Sequence, residues 1–594
     1  KEEESPSSNY LIPLWRNERH IGGAFTFALD FGTSNTHVEY SVNKSIPSAL
    51  DLPFDKNGFA TSFNKLNTNI SSLNEIQNHK DLEFIAENIS SESNYNFPIR
   101  TVLFDYNNFN PANFQPILDY NIGFTYEKTG LPTFNNVKPR TNLKWVNGIE
   151  NIEGEAWMRC FLEQLVVMCK TKVLVERGDL SKTRFTWTYP LSYGQYKINL
   201  IAGLIEELVA IHFGQGIETI KLSESIAPFY SIASTGKILG TSNTILSLDI
   251  GGGTIDSVVY QNRKVINISS VLFGANYLYS AGYTTDLRSN GFYKLGTKFF
   301  SGLSSVKGYH NLQEIETTIE QEGKIEDIIA YYFSLDKKKE LQDVNNKSFN
   351  AFLAMHANER AVFLFYLAAI IYNSVKAMKI AGMPAPSYLT FSGTGSKFLS
   401  IIDKSSTKES IVNYAAAIIN AVYELKDSSD KIRVKVLVPD NPKELTSKGA
   451  INVLEEGEEV LTELSMNSLD EKFRSYLGDK EGTIISIDNP LSYEELKSQF
   501  NESAYEAYTE FVSLFLQLPG INYKNDFGID YDLKRKFEDT LMDKKIAIEF
   551  LEAGMAQRTK QISATDMVSD NLCFYIVRGM LGEMLNKLHE DENW

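Results

Sequence analysis

One device occurs twice in this chain, and it constrains the fold more than any other feature. An apolar run, Ala24 to Leu29, leads into Asp30-Phe31-Gly32-Thr33-Ser34-Asn35-Thr36 and resumes at Val38 to Val42. Far along the chain a second run, Thr244 to Leu248, leads into Asp249-Ile250-Gly251-Gly252-Gly253-Thr254-Ile255-Asp256 and resumes at Ser257 to Tyr260. Strand, Gly-containing turn and strand read as a hairpin in both places. For either turn alone an ordinary Gly-rich hairpin is the competing reading. Its repetition with Asp at the same place weighs against that.

Glycine lets backbone approach an anion with no Cβ in the way, and successive N–H groups can converge into a nest that holds phosphate oxygens. The Thr and Ser hydroxyls add donors. An Asp facing the same phosphates is unsuited to touching them, since like charges repel, but suits the water shell of Mg²⁺. A third Gly-rich turn, SGTGSK, closes a short strand at Ser387 to Phe391.

With these residues in view the resemblance becomes specific. ALDFGTSNT (28–36) and LSLDIGGGTID (246–256) resemble the first and second phosphate motifs of the actin, seventy-kilodalton heat-shock chaperone and sugar-kinase superfamily, and YLTFSGTGSKF (388–398) resembles its adenosine motif. FTWTYPLSYGQYK (185–197), IKLSESIAPFYSIAS (220–234) and DNPKELTSKGAI (440–451) are similar, in the right order, to further segments of the chaperone ATPase, the nearest branch. The resemblance implies an α/β, two-lobed actin-like ATPase built of duplicated ribonuclease-H-like lobes, with Mg-ATP clamped between the hairpins.

Carried across by position, the resemblance implies that Asp30 and Asp249 orient Mg²⁺ through its waters, that Gly32, Thr33, Ser34 and Asn35 hold the β/γ phosphates, and that Gly251, Gly252, Gly253 and Thr254 cradle them from the other lobe. The resemblance also implies that Glu224 and Asp256 position the attacking water, and positioning with charge neutralisation suffices for slow phosphoryl transfer. Lys144 is the candidate first-lobe lysine near the γ-phosphate, with a plain surface lysine as the alternative. Gly393, Thr394, Gly395 and Ser396 lie against adenosine, with Lys397 where the chaperones place a stacking Arg. Glu359, Arg360 and Lys376 are candidates for the ribose or base, against the simpler reading that they face solvent. Ser223-Glu224-Ser225 stands where the chaperones have Asn-Glu-Pro.

At 594 residues several packed units are expected. Residues 1–22 read as an N-terminal extension, 23–240 as the first lobe with a loop-rich insertion over 43–142, and 241–454 as the second lobe with a helical insertion over about 285–350. Residues 455–594 read as an acidic, mainly helical C-terminal region. Helices are expected over Trp157 to Val175, Gln195 to Ala210, Leu312 to Phe333 and Phe349 to Ile380, and Arg184 to Tyr189 reads as a strand. Asn571 to Leu588 reads as an amphipathic helix packed on the ATPase core.

The formal charge of −17 is concentrated late in the chain, with 29 acidic against 14 basic residues after position 450. That balance disfavours nucleic acid and anionic membranes as partners. The longest uncharged apolar run, Ala361 to Tyr372, is 12 residues, short of a membrane span, so no span is expected. Three scattered cysteines and the lack of a signal pattern lead to the expectation of a reducing, cytoplasmic setting.

Three functions compete: a chaperone-like ATPase whose lobe closure regulates a protein partner, an actin-like filament former, and a small-molecule kinase. The last needs a base for the substrate hydroxyl, and no motif supplies one.

Overall fold

The computed structural model describes residues 23–53, 89–90, 96–105, 120–124, 138–145, 152–190, 193, 195–234, 243–262, 264–279, 287–321, 323–335, 341, 348–356, 359–405, 407–425, 434–437, 441–465, 469–559 and 567–588. The N-terminal extension and most of the loop-rich insertion lie outside these residues.

The first sheet is built from β1 (Phe25–Asp30), β2 (Asn35–Val42), β3 (Ser48–Ala49), β4 (Ile99–Arg100), β5 (Arg184–Tyr189) and β6 (Thr219–Ser223), in the order β3-β2-β1-β5-β6 with β4 beside β2. The second is β7 (Thr244–Ile250), β8 (Ile255–Gln261), β9 (Lys264–Val271), β10 (Tyr388–Ser392) and β11 (Lys435–Leu437), in the order β9-β8-β7-β10-β11. Both sheets follow one scheme. The Asp-ended strand lies at the centre, its hairpin partner runs antiparallel on one side, and a later strand lies parallel on the other.

Every residue of β1 and of β7 is buried, as a central strand covered on both faces demands. Period two explains how each strand serves two cores. Phe25, Phe27 and Leu29 enter one cluster with α1 (Ile152–Val175) and α2 (Gln195–Phe213), while Ala28 between them enters another. Ile245 of β7 shares that second cluster, which also holds Ala227 and Phe229 of α3 (Ala227–Ser234). A layer common to both sheets therefore lies between them.

Arg184–Tyr189 matches the expected strand, and both hairpins stand where they were expected. Two expected helices are each divided. The stretch from 312 to 333 is Tyr309–Gln321 followed by Ile325–Ser334, with Gly323 at φ +70° between them. The stretch from 349 to 380 is Phe349–Met355 followed by α4 (Arg360–Ile380). α4 is long and apolar enough to cross a membrane, but most of it is buried in the cluster that holds Leu246, Leu248 and Ile250 of β7.

α5 (Glu444–Glu456) crosses α3 in the shared layer, so closely that a Cβ on Gly449 would stand 1.6 Å from the carbonyl oxygen of Ala227. Only glycine permits that approach.

The C-terminal residues do not form a core of their own. α6 (Leu572–Leu588) is buried on nearly all faces rather than amphipathic, and its side chains join the second-sheet core. Phe574 stacks on Phe273 with ring centroids 4.2 Å apart. Nearby, Asp570 accepts Arg558 Nε at 2.9 Å and Tyr575 Oη at 2.8 Å, and also Tyr493. Burial alone would raise the Asp570 carboxyl, but Arg558 and the two tyrosine hydroxyls hold it below the ordinary range.

Candidate functional site

The two Asp turns meet. Gly252, in the turn of the second sheet, packs on Ser34 of the first, and a Cβ there would stand 2.6 Å from Ser34 Oγ. The first turn is held from behind: Ser34 O accepts Thr101 N at 3.0 Å and Arg100 Nη1 at 3.2 Å, and Gly32 O accepts Thr101 Oγ1 at 2.8 Å. Thr33 and Asn35 lie in the same turn, Asn35 at the start of β2.

The second turn is fixed by Gly251 N donating to Thr254 O at 2.9 Å, and by the segment after β9, whose Gly274, Ala275 and Asn276 N–H groups donate to the carbonyls of Gly253, Gly251 and Gly252. Because α6 stacks on Phe273, the C-terminal residues brace this turn one residue away.

The third turn closes on the second. Gly393 has φ +77°, and a Cβ on it would meet Ile250 O at 2.3 Å, while one on Gly395 would meet the same oxygen at 2.7 Å. Ser396 Oγ donates to Gly393 O at 2.8 Å, Thr394 is half-buried and Lys397 exposed. Ser392 Oγ donates to Asp249 Oδ2 at 2.8 Å, tying β10 to the Asp of β7.

Four carboxyl groups converge behind these turns. Asp30, Asp249 and Asp256 are buried, and Glu224, whose N–H donates to Tyr189 O at 2.8 Å, carries a side chain 13% exposed. Burial pushes Glu224 up to about 7, with Asp30 and Asp256 adding to the rise and Lys144 opposing it. Burial, then Asp256, pushes Asp249 up to about 8. Asp256 is raised by burial against hydrogen bonds from Ser270 and Thr254, and its Oδ1 has no hydrogen-bond partner. Thr254 Oγ1 donates to its Oδ2 at 3.1 Å.

Two lysines offset part of this acidity. Lys144 is not a surface lysine: it is buried, paired with Glu224, and its Nζ lies 5.7 Å from the centre of the Tyr193 ring. The second, Lys443, carried no expected role. It precedes α5 and reaches Asp30 Oδ2 at 2.6 Å. Burial acts to lower the Lys443 ammonium, but Asp30, Glu224 and Asp249 outweigh it and hold the group above its ordinary value. Its neighbour on α5, Thr446, also touches the cluster, 3.4 Å from Asp249 Oδ2.

Of the helix candidates for ribose or base, Glu359 and Lys376 have charged neighbours of their own. Glu359 is buried with His356 Nδ1 3.5 Å away, and Lys376 pairs with Glu510 of the helix Asn501–Leu516 at 2.7 Å. Arg360 is partly buried, which lowers its guanidinium.

Among the described residues no group of three His, Cys, Asp or Glu side chains is placed to hold a metal ion directly.

Neither a protein-family model nor a curated protein matches this sequence. Among solved structures the chain is similar to MreB5 of Spiroplasma citri bound to ADP, with TM-score 0.33 and 9% identity over 74% of this chain and 98% of that one. It is similar also to MreB5 of Spiroplasma citri bound to AMPPNP, with TM-score 0.32 and 10% identity over 74% of this chain and 97% of that one.

Proposed function

We propose that this chain binds Mg-ATP between its two Asp turns, hydrolyses it slowly, and transmits the resulting movement of its two sheets to a protein partner. One observation carries the reading: the turns at Asp30 and Asp249, far apart in sequence, face each other at Ser34 and Gly252 with Asp256 and Glu224 behind them. The motif order supports the chaperone branch of the superfamily, and the equivalent sheet schemes support duplicated lobes.

The residues fit a divalent ion held through its waters. Fully ionised, Asp30, Asp249, Asp256 and Glu224 exceed Lys144 and Lys443 by two negative charges, and burial first, with neighbouring carboxylates adding to it at Glu224 and Asp249, raises the Asp249, Asp256 and Glu224 carboxyls. Mg²⁺ supplies charge neutralisation when bound. In this reading Thr33, Ser34, Asn35 and Gly251 to Thr254 cradle phosphates, Gly393 to Lys397 border the adenosine, and the buried, unpartnered Oδ1 of Asp256 orients the attacking water with Glu224. Lys144 holds Glu224 in place. The α3–α5 crossing supports a hinge, since both helices sit in the layer shared by the sheets.

Calorimetric titration with ATP in Mg²⁺, beside a hydrolysis assay, tests this. Wild type is expected to bind and turn over slowly, and Asp256→Ala to bind with hydrolysis reduced roughly a hundredfold. A folded wild type that takes up no nucleotide contradicts it.

A further inference from the structure

Lys443 is the feature that the clamp reading leaves unused. Its ammonium sits over the first turn: a Cβ on Gly32 would stand 2.8 Å from Lys443 Nζ, so the charge lies at the backbone offered to phosphate. The chain around it is anchored, since Pro442 O accepts Gly393 N at 3.3 Å and Thr446 approaches Asp249. The segment that carries Lys443 thus touches the first, second and third turns together. Its side chain is 13% exposed.

An ammonium has three donors, and Asp30 Oδ2 engages one of them. A phosphate oxygen arriving at Gly32 to Asn35 meets the remaining donors without breaking the pair with Asp30. Lys144 is tied to Glu224, and Arg100, behind the first turn, to Asp327, whereas Lys443 Nζ stands at Gly32 itself.

Resting on the clamp reading above, we propose that Lys443 is a resident phosphate-binding cation of this site, one that neutralises Asp30 in the empty clamp and the nucleotide phosphates in the filled one. The ligand class is a nucleoside di- or triphosphate. Part of the neutralisation otherwise left to the divalent ion is then built into the chain, and nucleotide binding outlasts removal of metal.

The test measures ADP and ATP affinity by calorimetry in Mg²⁺ and again in EDTA, for wild type, Lys443→Met and Lys443→Arg, with each variant's fold checked by circular dichroism. Wild type is expected to lose no more than about tenfold in EDTA. Lys443→Met is expected to lose at least a further tenfold in EDTA and distinctly less in Mg²⁺, with Lys443→Arg close to wild type. Wild-type binding that vanishes in EDTA overturns the inference without any variant, as does a folded Lys443→Met that matches wild type there. No binding by wild type even in Mg²⁺ overturns the clamp reading itself, so the two failures are distinct.

Discussion

Ser34 and Gly252 touch across the boundary between the two sheets: a Cβ on Gly252 would stand 2.6 Å from Ser34 Oγ and 3.3 Å from Asn276 Oδ1. These neighbours are ends of side chains that can turn away, so Gly252→Ala is expected to cost stability no more than about 1 kcal/mol. Filling the phosphate cradle is a different matter. ATP affinity measured by calorimetry is expected to fall at least about tenfold, and an unchanged affinity would remove Gly252 from the site.

Gly449 presents the opposite case. The atom its Cβ would strike is the backbone oxygen of Ala227, and Ser231 N lies 3.2 Å away, so α3 and α5 must move apart to admit a methyl group. Overpacking of this kind costs about 1–3 kcal/mol, more than the roughly 1 kcal/mol that Ala gains over Gly in a helix interior. Gly449→Ala is expected to lower the midpoint of urea unfolding; an unchanged midpoint would show that the helices yield freely.

The raised carboxyls make stability depend on pH in a definite direction. Asp249 goes from 3.8 to about 8 and Glu224 from 4.5 to about 7, so between those limits the folded chain holds protons that the unfolded chain has released. The stabilisation is complete below the unfolded values and is lost as pH rises through 7 to 8. Lys197, which burial lowers to about 7, acts with the opposite sign between there and 10.5. Comparison with Asp249→Asn separates the contributions. Wild type is expected to lose thermal stability relative to Asp249→Asn as pH goes from 5 to 8, in the absence of metal and nucleotide, and parallel curves would contradict this.

The C-terminal residues are expected to be inseparable from the second sheet. Arg558 and Asp570 form a buried pair, and removing one partner of such a pair costs about 3–5 kcal/mol. Arg558→Met is expected to lose stability on that scale in denaturant unfolding, with a single transition. A separate early transition would show an independent C-terminal unit instead.

Local pattern carried much of this fold and long-range pairing carried the rest. Arg184–Tyr189 and the two hairpins are legible because short apolar runs and Gly turns are written within a few residues. The break at Gly323 is equally local, yet the apolar spacing runs through it and hides it. The even burial of α6 was invisible because a helix covered on every face loses the polar stripe that marks amphipathicity. The three Gly turns pack together, Gly252 against Ser34 and Gly393 against Ile250. Lys443 had no such signal, since a lysine before a helix looks the same whether it meets solvent or, as here, the Asp30 carboxylate.

Hydrogen–deuterium exchange with and without Mg-ATP tests the central claim most directly. Peptides covering 31–36, 250–255 and 392–397 are expected to gain protection together, because one ligand bridges three turns drawn from two sheets. Protection confined to one turn, or found only elsewhere in the chain, would contradict it.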